Sequence, residues 1–391
     1  MRTYGTQAIG IRMPIIHEGD DLIDIVATHV LGYCDESGTP LKDGDVIGIT
    51  EAIVARAQGN MATTAQIAKA VRAKFPSGAV GVVFPILSRN RFSVLLKGIA
   101  AGVDKLYIQL SYPADEVGNH LVSEEKLFET GANPYRDVFD EAGFREKFGE
   151  LTHEFTGVDY ISLYRGLGNN AEIIVANDPC EMLKYTKNII AADIHTREQT
   201  KRRLKSGGGV VIGLDDLLTE STDGSGFNPE FGLLGSNKAT EERVKLFPHS
   251  CDKFVKAVAL KLRVKSGANV EVMIYGDGAF KDPVGKIWEL ADPVVSPAYT
   301  EGLKGLTNEL KLKYLADNEF ADMRGEEAAA AIAERIRSKG STLVGKDESL
   351  GTTPRYVTDF IGTLCDLMSG SGDKGTPVVL IRGYFDNFGD S

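Results

Sequence analysis

The residues best suited to chemistry lie near the end of the chain. There Ser369-Gly370-Ser371-Gly372-Asp373-Lys374-Gly375-Thr376-Pro377 joins a helix-like segment, Thr353 to Met368, to an apolar strand, Val378 to Ile381. Glycines at alternate positions let backbone N–H groups face an anion with no Cβ in the way, and Lys374 adds a mobile positive charge. That combination suits a phosphate, with Gly370, Gly372 and Lys374 as its contacts; a helix C-cap followed by a tight turn would use the same residues. A second set is acidic. Asp277 sits between Gly276 and Gly278 after the apolar run Val270 to Tyr275, Asp215 and Asp216 follow the strand-like Val210 to Leu214, and Glu220 and Asp223 lie in the Ser/Gly-rich stretch beyond. With Asp373 of the terminal loop, these are the acids that stand at strand ends or in loops. Asp215-Asp216 fits a helix N-cap equally well, and Asp223-Gly224 alone fits a plain turn.

Other polar residues carry weaker signals. His17 precedes a helix start, where a surface or phosphate-facing donor is the ordinary role, and His120 and His195 have structural roles by default. Ser88-Arg89-Asn90-Arg91 follows the strand Val80 to Pro85 and could grip an acidic substrate through bidentate contacts, or simply cap the next helix.

The elements that must position these residues alternate in character. The chain opens with strand Gln7 to Met13, a turn at Pro14, and apolar residues at helical spacing from Leu22 to Val30; then come strand Val46 to Thr50, helix Glu51 to Ala57 and helix Ala62 to Phe75. From about Gly78 to Asp216 strands are predicted at Val80 to Pro85, Lys105 to Leu110, Glu172 to Ala176 and Val210 to Leu214, with helices at Phe92 to Gly102, Cys180 to Ile190 and Thr196 to Lys205. This alternation predicts a parallel, Rossmann-like α/β sheet. No strand there leads into G-x-G-x-x-G, so it is not read as a dinucleotide site. The polar span Ser111 to Leu151 is expected to cover part of the structure. The partition that follows is an α+β domain from both chain ends, residues 1–77 and 217–391, interrupted by an inserted α/β domain, residues 78–216.

Composition removes several classes of function. With 391 residues, 42% apolar and 25% charged, the chain is that of a folded globular protein of more than one core. A net charge of -11 argues against general nucleic-acid binding. The single basic cluster, Lys201-Arg202-Arg203-Leu204-Lys205, fits the solvated face and C-terminal end of a helix. No apolar run approaches the roughly 18 residues of a membrane span, so a cytoplasmic location is expected. The four cysteines are far apart and form no zinc spacing.

Three blocks, in order, resemble the gamma-glutamyl ligases that add glutamate to the deazaflavin coenzyme F-420. The first is Gly10-Ile11-Arg12-Met13-Pro14-Ile15-Ile16-His17-Glu18-Gly19-Asp20-Asp21-Leu22, followed by Asp43-Gly44-Asp45-Val46 through Arg56-Ala57-Gln58-Gly59. The second is Gly232-Leu233-Leu234-Gly235-Ser236-Asn237, followed by a short acidic stretch and Leu246-Phe247-Pro248. The third joins Val270 to Gly278 with the terminal loop and Val378 to Gly383. The resemblance covers roughly residues 7 to 59 and 215 to 388 and leaves the α/β segment outside it.

It implies a dimeric ligase that uses GTP and divalent cations, Mg²⁺ or Mn²⁺ with K⁺ a further candidate, to join L-glutamate to an acidic acceptor such as F-420-0 or another carboxylate. The family's nucleotide-contacting turn falls on Pro14, Ile15, Ile16 and His17, its helix lysine on Arg56, its asparagine on Asn237, and a catalytic metal aspartate on Asp277. There are departures. The family's other acid is Leu234 here, the threonine after the metal aspartate is Gly278, a Ser-Thr pair is Glu51-Ala52, and a glutamate in the last loop is Ser371. Leucine cannot hold Mg²⁺. Either other acids, with Asp215, Asp216, Glu220, Asp223 and Asp373 as the candidates beside Asp277, rebuild the divalent-cation site that the resemblance implies, or the family's chemistry is lost, which leaves a non-catalytic nucleotide-binding protein and a metal-dependent hydrolase using Glu220 and Asp223 as alternatives.

Overall fold

The computed structural model describes residues 4–154, 156–276, 295–349, 355–369 and 373–388. Of the predicted site residues, Asp277, Gly370 and Gly372 lie outside the described residues.

Strands from the two ends of the chain form one five-stranded sheet. Its order in space is Gln7–Ile11, Val378–Arg382, Val46–Thr50, Glu271–Tyr275 and Ala298–Tyr299. Only the pair Val46–Thr50 with Glu271–Tyr275 is parallel. Successive strand residues point to opposite faces, and here both faces are covered, which explains the unbroken apolar runs. Ile47, Ile49, Val272, Ile274, Val378 and Leu380 join the core on one face, whereas Val46, Met273, Tyr275, Val379 and Ile381 join that on the other. Helix Leu22–Ser37 covers the first face. Asp21 caps its start by accepting from the Asp24 N–H, and Gly38, at φ 65°, ends it. Its buried residues Leu22, Val26, Val30 and Cys34 recur every four positions and pack with Val255, Val258 and Leu262 of helix Cys251–Ser266. Helix Val357–Ser369 covers the second face through Ile361 and Cys365.

All strands of a six-stranded sheet come from residues 79–213, in the order Phe139–Asp140, Ala171–Val175, Lys105–Leu110, Ala79–Val83, Asn188–Ala191 and Val210–Gly213. Five strands are parallel and the first is an antiparallel edge. One predicted element is wrong. Cys180 to Ile190 is not a helix: Pro179–Lys184 forms a short 3₁₀ turn, and Asn188–Ala191 is a strand beside Ala79–Val83. Ile189 and Ile190 are fully buried in different cores, one on each face of the sheet, and a short apolar run of that kind carries no periodicity to separate strand from helix. The span expected to act as a cover adds Val117, Leu121, Val122, Phe144 and Phe148 to the core of this layer and also closes the sheet edge. Phe139–Asp140 pairs with Ala171–Val175, and Phe139, Phe144, Phe148 and Tyr112 pack together as an aromatic cluster.

A third sheet has three short strands, Asn237–Lys238, Arg243–Lys245 and Met61–Thr63. Its inner residues Ala62 and Val244 belong to the same continuous core as the α/β layer, together with Ile67, Val71, Leu217, Leu233 and Leu234. This packing crosses both boundaries that the sequence suggested for the inserted segment. No helix among the described residues is long and apolar enough to cross a membrane.

Candidate functional site

The pairing of the first and last strands brings distant turns together. Ile11 lies opposite Val378, so the turn after the opening strand and the loop before the closing strand emerge at the same end of the sheet. The Met13 N–H donates to the Gly375 carbonyl at 3.0 Å, and the Thr50 N–H donates to the Pro377 carbonyl at 3.0 Å. Thr50 ends its strand in register with Tyr275 and leads into helix Glu51–Ala57. The turn Pro14-Ile15-Ile16-His17 is itself fixed at both sides. The His17 N–H donates to Asp20 Oδ2 at 2.7 Å, the Gly19 N–H donates to the Ala57 carbonyl at 2.9 Å, and Ile16 is buried while Ile15 stands 76% exposed.

The small sheet supplies the facing wall. Asn237 lies opposite Lys245, and Lys245 opposite Met61, so three side chains from three strands share one face. The next row, Val244 and Ala62, points the other way into the core. The Lys238 N–H donates to the Asn90 carbonyl at 2.7 Å, which ties the loop after strand Ala79–Val83 to this wall. Of the Ser88-Arg89-Asn90-Arg91 group, Asn90 thus braces the site through its backbone. Tyr164 holds the same loop by donating to the Ile86 carbonyl at 2.6 Å and accepting the Ser88 N–H at 2.9 Å.

Between the walls lies a cavity of about 420 Å³, lined by Pro14, Ile15, Ile16, Arg56, Asn237, Gly375 and Pro377, with Lys238 and Lys245. A smaller cavity of about 180 Å³ adjoins it, sharing Ile16, Arg56 and Met61 and adding His17, Glu18 and Arg243. The larger volume suits a small-molecule ligand. Its described lining residues include Arg56, Lys238 and Lys245 and no carboxylate; Lys238 lies opposite Val244, on the row that faces away from Asn237 and Lys245, so Arg56 and Lys245 are the cations placed to face the space. Lys238 pairs with the exposed Glu241, and Lys245 pairs with the buried Glu51 at 2.9 Å. Such a wall attracts anions.

The predicted residues therefore divide. Pro14, Ile15, Ile16, His17, Arg56 and Asn237, scattered over more than two hundred positions, come together around one space. The terminal loop reaches it through Gly375 and Pro377, while Asp373 and Lys374 are exposed and line neither cavity. Asp215 and Asp216 are committed elsewhere: Asp215 pairs with Arg197 at 3.0 Å and Lys201 at 3.6 Å, and Asp216 with Lys201 at 3.1 Å. Asp216 also accepts the Gly213 N–H at 2.7 Å, as a cap of the short turn Leu214–Asp216. Burial pushes its carboxyl upward, but the Gly213 N–H and the Lys201 ammonium prevail and hold it below the usual range. Lys201, expected on a solvated helix face, is instead partly buried beside these acids, with 11% side-chain exposure. Asp223 pairs with Lys69 on helix Thr64–Lys74, and Glu220 is exposed. Among the described residues no three His, Cys, Asp or Glu side chains converge as a metal site. Leu234, which stands where the resemblance places an acid, is 2% exposed in the core with Leu214, Leu217 and Leu233.

Sequence reasoning missed Lys245, Lys238 and the role of Glu51. The alternation Val244-Lys245-Leu246 after Asn237 was the available signal, since a lone cation between two core residues must face the other way.

Fold and cavity together define a mixed α/β protein with several sheets and a cationic cleft between the chain ends and the small third sheet. A family model described as F420-0:Gamma-glutamyl ligase matches residues 10–383, and the chain belongs to that family of amide ligases that add glutamate. The matched span takes in the α/β segment, residues 78–216, which the sequence resemblance had left outside. A search of curated proteins finds no match.

Proposed function

We propose that the cleft binds a nucleoside triphosphate, GTP by family resemblance, and that the protein spends it to join L-glutamate to a carboxylate of an acidic acceptor. The single observation that carries this reading is the cleft's charge. In a chain of net charge -11, the larger cavity has Arg56 and Lys245 on its wall and no carboxylate among its described lining residues. Phosphate groups fit such a surface, and the exposed Pro14-Ile15 turn and Asn237 give a base and ribose an apolar shelf and a polar partner.

The chemistry explains the need for the nucleotide. A carboxylate does not condense with an amine at neutral pH. Transfer of the γ-phosphoryl group to the carboxylate would release GDP and leave an acyl phosphate. The glutamate nitrogen would then attack the acyl carbon, with phosphate leaving and the nitrogen losing a proton. Charge spreads over the transferred phosphoryl oxygens, so Arg56 and Lys245 would act by positioning and neutralising it. A divalent cation, Mg²⁺ or Mn²⁺, would supply further neutralisation, and Asp277 with Asp373 are its proposed holders. The described carboxylates alone do not fit a cation, because Asp215, Asp216 and Asp223 are held by basic residues. The α/β segment would shape acceptor choice, and a homodimer is the proposed assembly.

Those occupied acids and the buried Leu234 favour a second reading, a nucleotide-binding homologue without catalysis. Calorimetry with GTP, with and without Mg²⁺ or Mn²⁺, and phosphate release with glutamate and an acceptor pool separate the two. Metal-dependent phosphate release that requires glutamate supports the ligase; tight binding indifferent to metal with no release supports the second reading. Replacing Asp277 by Ala is expected to abolish metal-dependent turnover, and retained turnover would remove that assignment.

A further inference from the structure

The three basic residues at the larger cavity, Arg56, Lys238 and Lys245, are held in different ways, and Lys238 lies on the row opposite Val244 that faces away from it. Arg56 is exposed on its helix, and Lys238 pairs with a glutamate that is itself 83% exposed. Lys245 is partly buried at 13% side-chain exposure, and its ammonium lies 2.9 and 3.2 Å from the two oxygens of Glu51, whose side chain is 6% exposed. Lys245 lines the cavity, whereas Glu51 does not. Glu51 is thus set back from the ligand space that Lys245 borders. An ammonium has three donors, and Glu51 has two oxygens to receive them, so at least one donor stays available. The position is rigid as well: Lys245 is pinned between Asn237 and Met61 in the small sheet, and Glu51 heads the helix that carries Arg56.

We infer that Lys245, braced by Glu51, is the fixed cation that receives the anionic part of the ligand, the phosphate chain of the nucleotide. This rests on the reading of the cleft given above. A surface lysine must give up side-chain freedom when it grips an anion; Lys245 has already given it up to Glu51. Glu51 also offsets the charge, so an empty cleft does not hold a bare, partly buried cation. The pair is a pre-set receptor whose strength grows with the number of phosphates presented, and whose contribution to a neutral nucleoside is small.

Calorimetry with guanosine, GMP, GDP and GTP tests this on wild type, on Glu51→Gln and on the double variant Lys245→Met with Glu51→Gln, which removes both charges together. Wild-type affinity should rise along the series. The double variant should bind guanosine as wild type does but lose roughly ten- to hundredfold in GTP affinity, the worth of one charge-assisted hydrogen bond. Glu51→Gln alone keeps an acceptor for the ammonium but removes the offsetting charge, so it should lower the melting temperature and tighten GTP binding. Equal GTP affinity in wild type and the double variant would overturn the inference while leaving the nucleotide reading intact. Weaker GTP binding by Glu51→Gln would overturn it independently, should the double variant fail to fold. Failure of the wild type to bind any member of the series would remove the reading and the inference together.

Discussion

Leu234 occupies the position where the resemblance places an acid, so Leu234→Asp is the substitution that nominally restores it. The structure predicts the opposite outcome. Leu234 is 2% exposed and packs in one continuous core with Leu214, Leu217 and Leu233. Removing a buried leucine side chain costs about 2–5 kcal/mol, and placing an unpaired carboxylate there adds roughly 1–3 kcal/mol or more. Against a total stability of roughly 5–15 kcal/mol for a folded domain, the sum removes most or all of it. Urea and thermal unfolding, followed by circular dichroism with and without Mn²⁺, reads the effect. Leu234→Ala serves as the control for the lost apolar contact, and Leu234→Asp should be markedly less stable than that control. A Leu234→Asp protein that melts with wild type and gains stability from Mn²⁺ would refute the reasoning, because position 234 would then face a metal and not the core.

Further substitutions test other parts of the account. Arg56→Ala removes an exposed cation from both cavities and should weaken GTP binding about ten- to hundredfold with little change in melting temperature, by calorimetry and thermal unfolding. Asp223→Ala breaks a pair in which both side chains are more than half exposed, so stability should change by less than about 1 kcal/mol and turnover not at all; lost turnover would return Asp223 to the site. Gly232 has φ 53°, and a Cβ there would lie 2.5 Å from the Leu217 carbonyl oxygen, so Gly232→Ala should destabilise by roughly 1–3 kcal/mol or more in urea unfolding. Wild-type stability in that variant would show that the loop leading to Asn237 is not packed as described.

How far the sequence revealed this arrangement depended on how local each signal was. Gly10 to Leu22, the turn at Asp43-Gly44-Asp45 and the strand Val378 to Ile381 were legible because turn residues and apolar runs lie next to each other, and their family resemblance named Pro14, Arg56 and Asn237, which the structure brings around one cavity. Nothing local distinguishes Asp215 and Asp216 as partners of Arg197 and Lys201, since that depends on how a helix packs beside a strand end. The pairing of Asn237 with Lys245 and Met61 joins strands of two or three residues, too short to leave a period of two. Asn188–Ala191 was misread for the related reason that burial on both faces erases alternation. Glu51 read as a departure from the resemblance; only its contact with a residue 194 positions away gives it a role.

The most direct test of the central claim is a crystal structure of the protein with GTP and Mg²⁺. The nucleotide is expected between the Pro14–Ile16 turn and the strands of Asn237 and Lys245, with its phosphates toward Arg56 and Lys245. A nucleotide bound instead at the strand ends of the six-stranded sheet, with this cleft empty, would contradict the account.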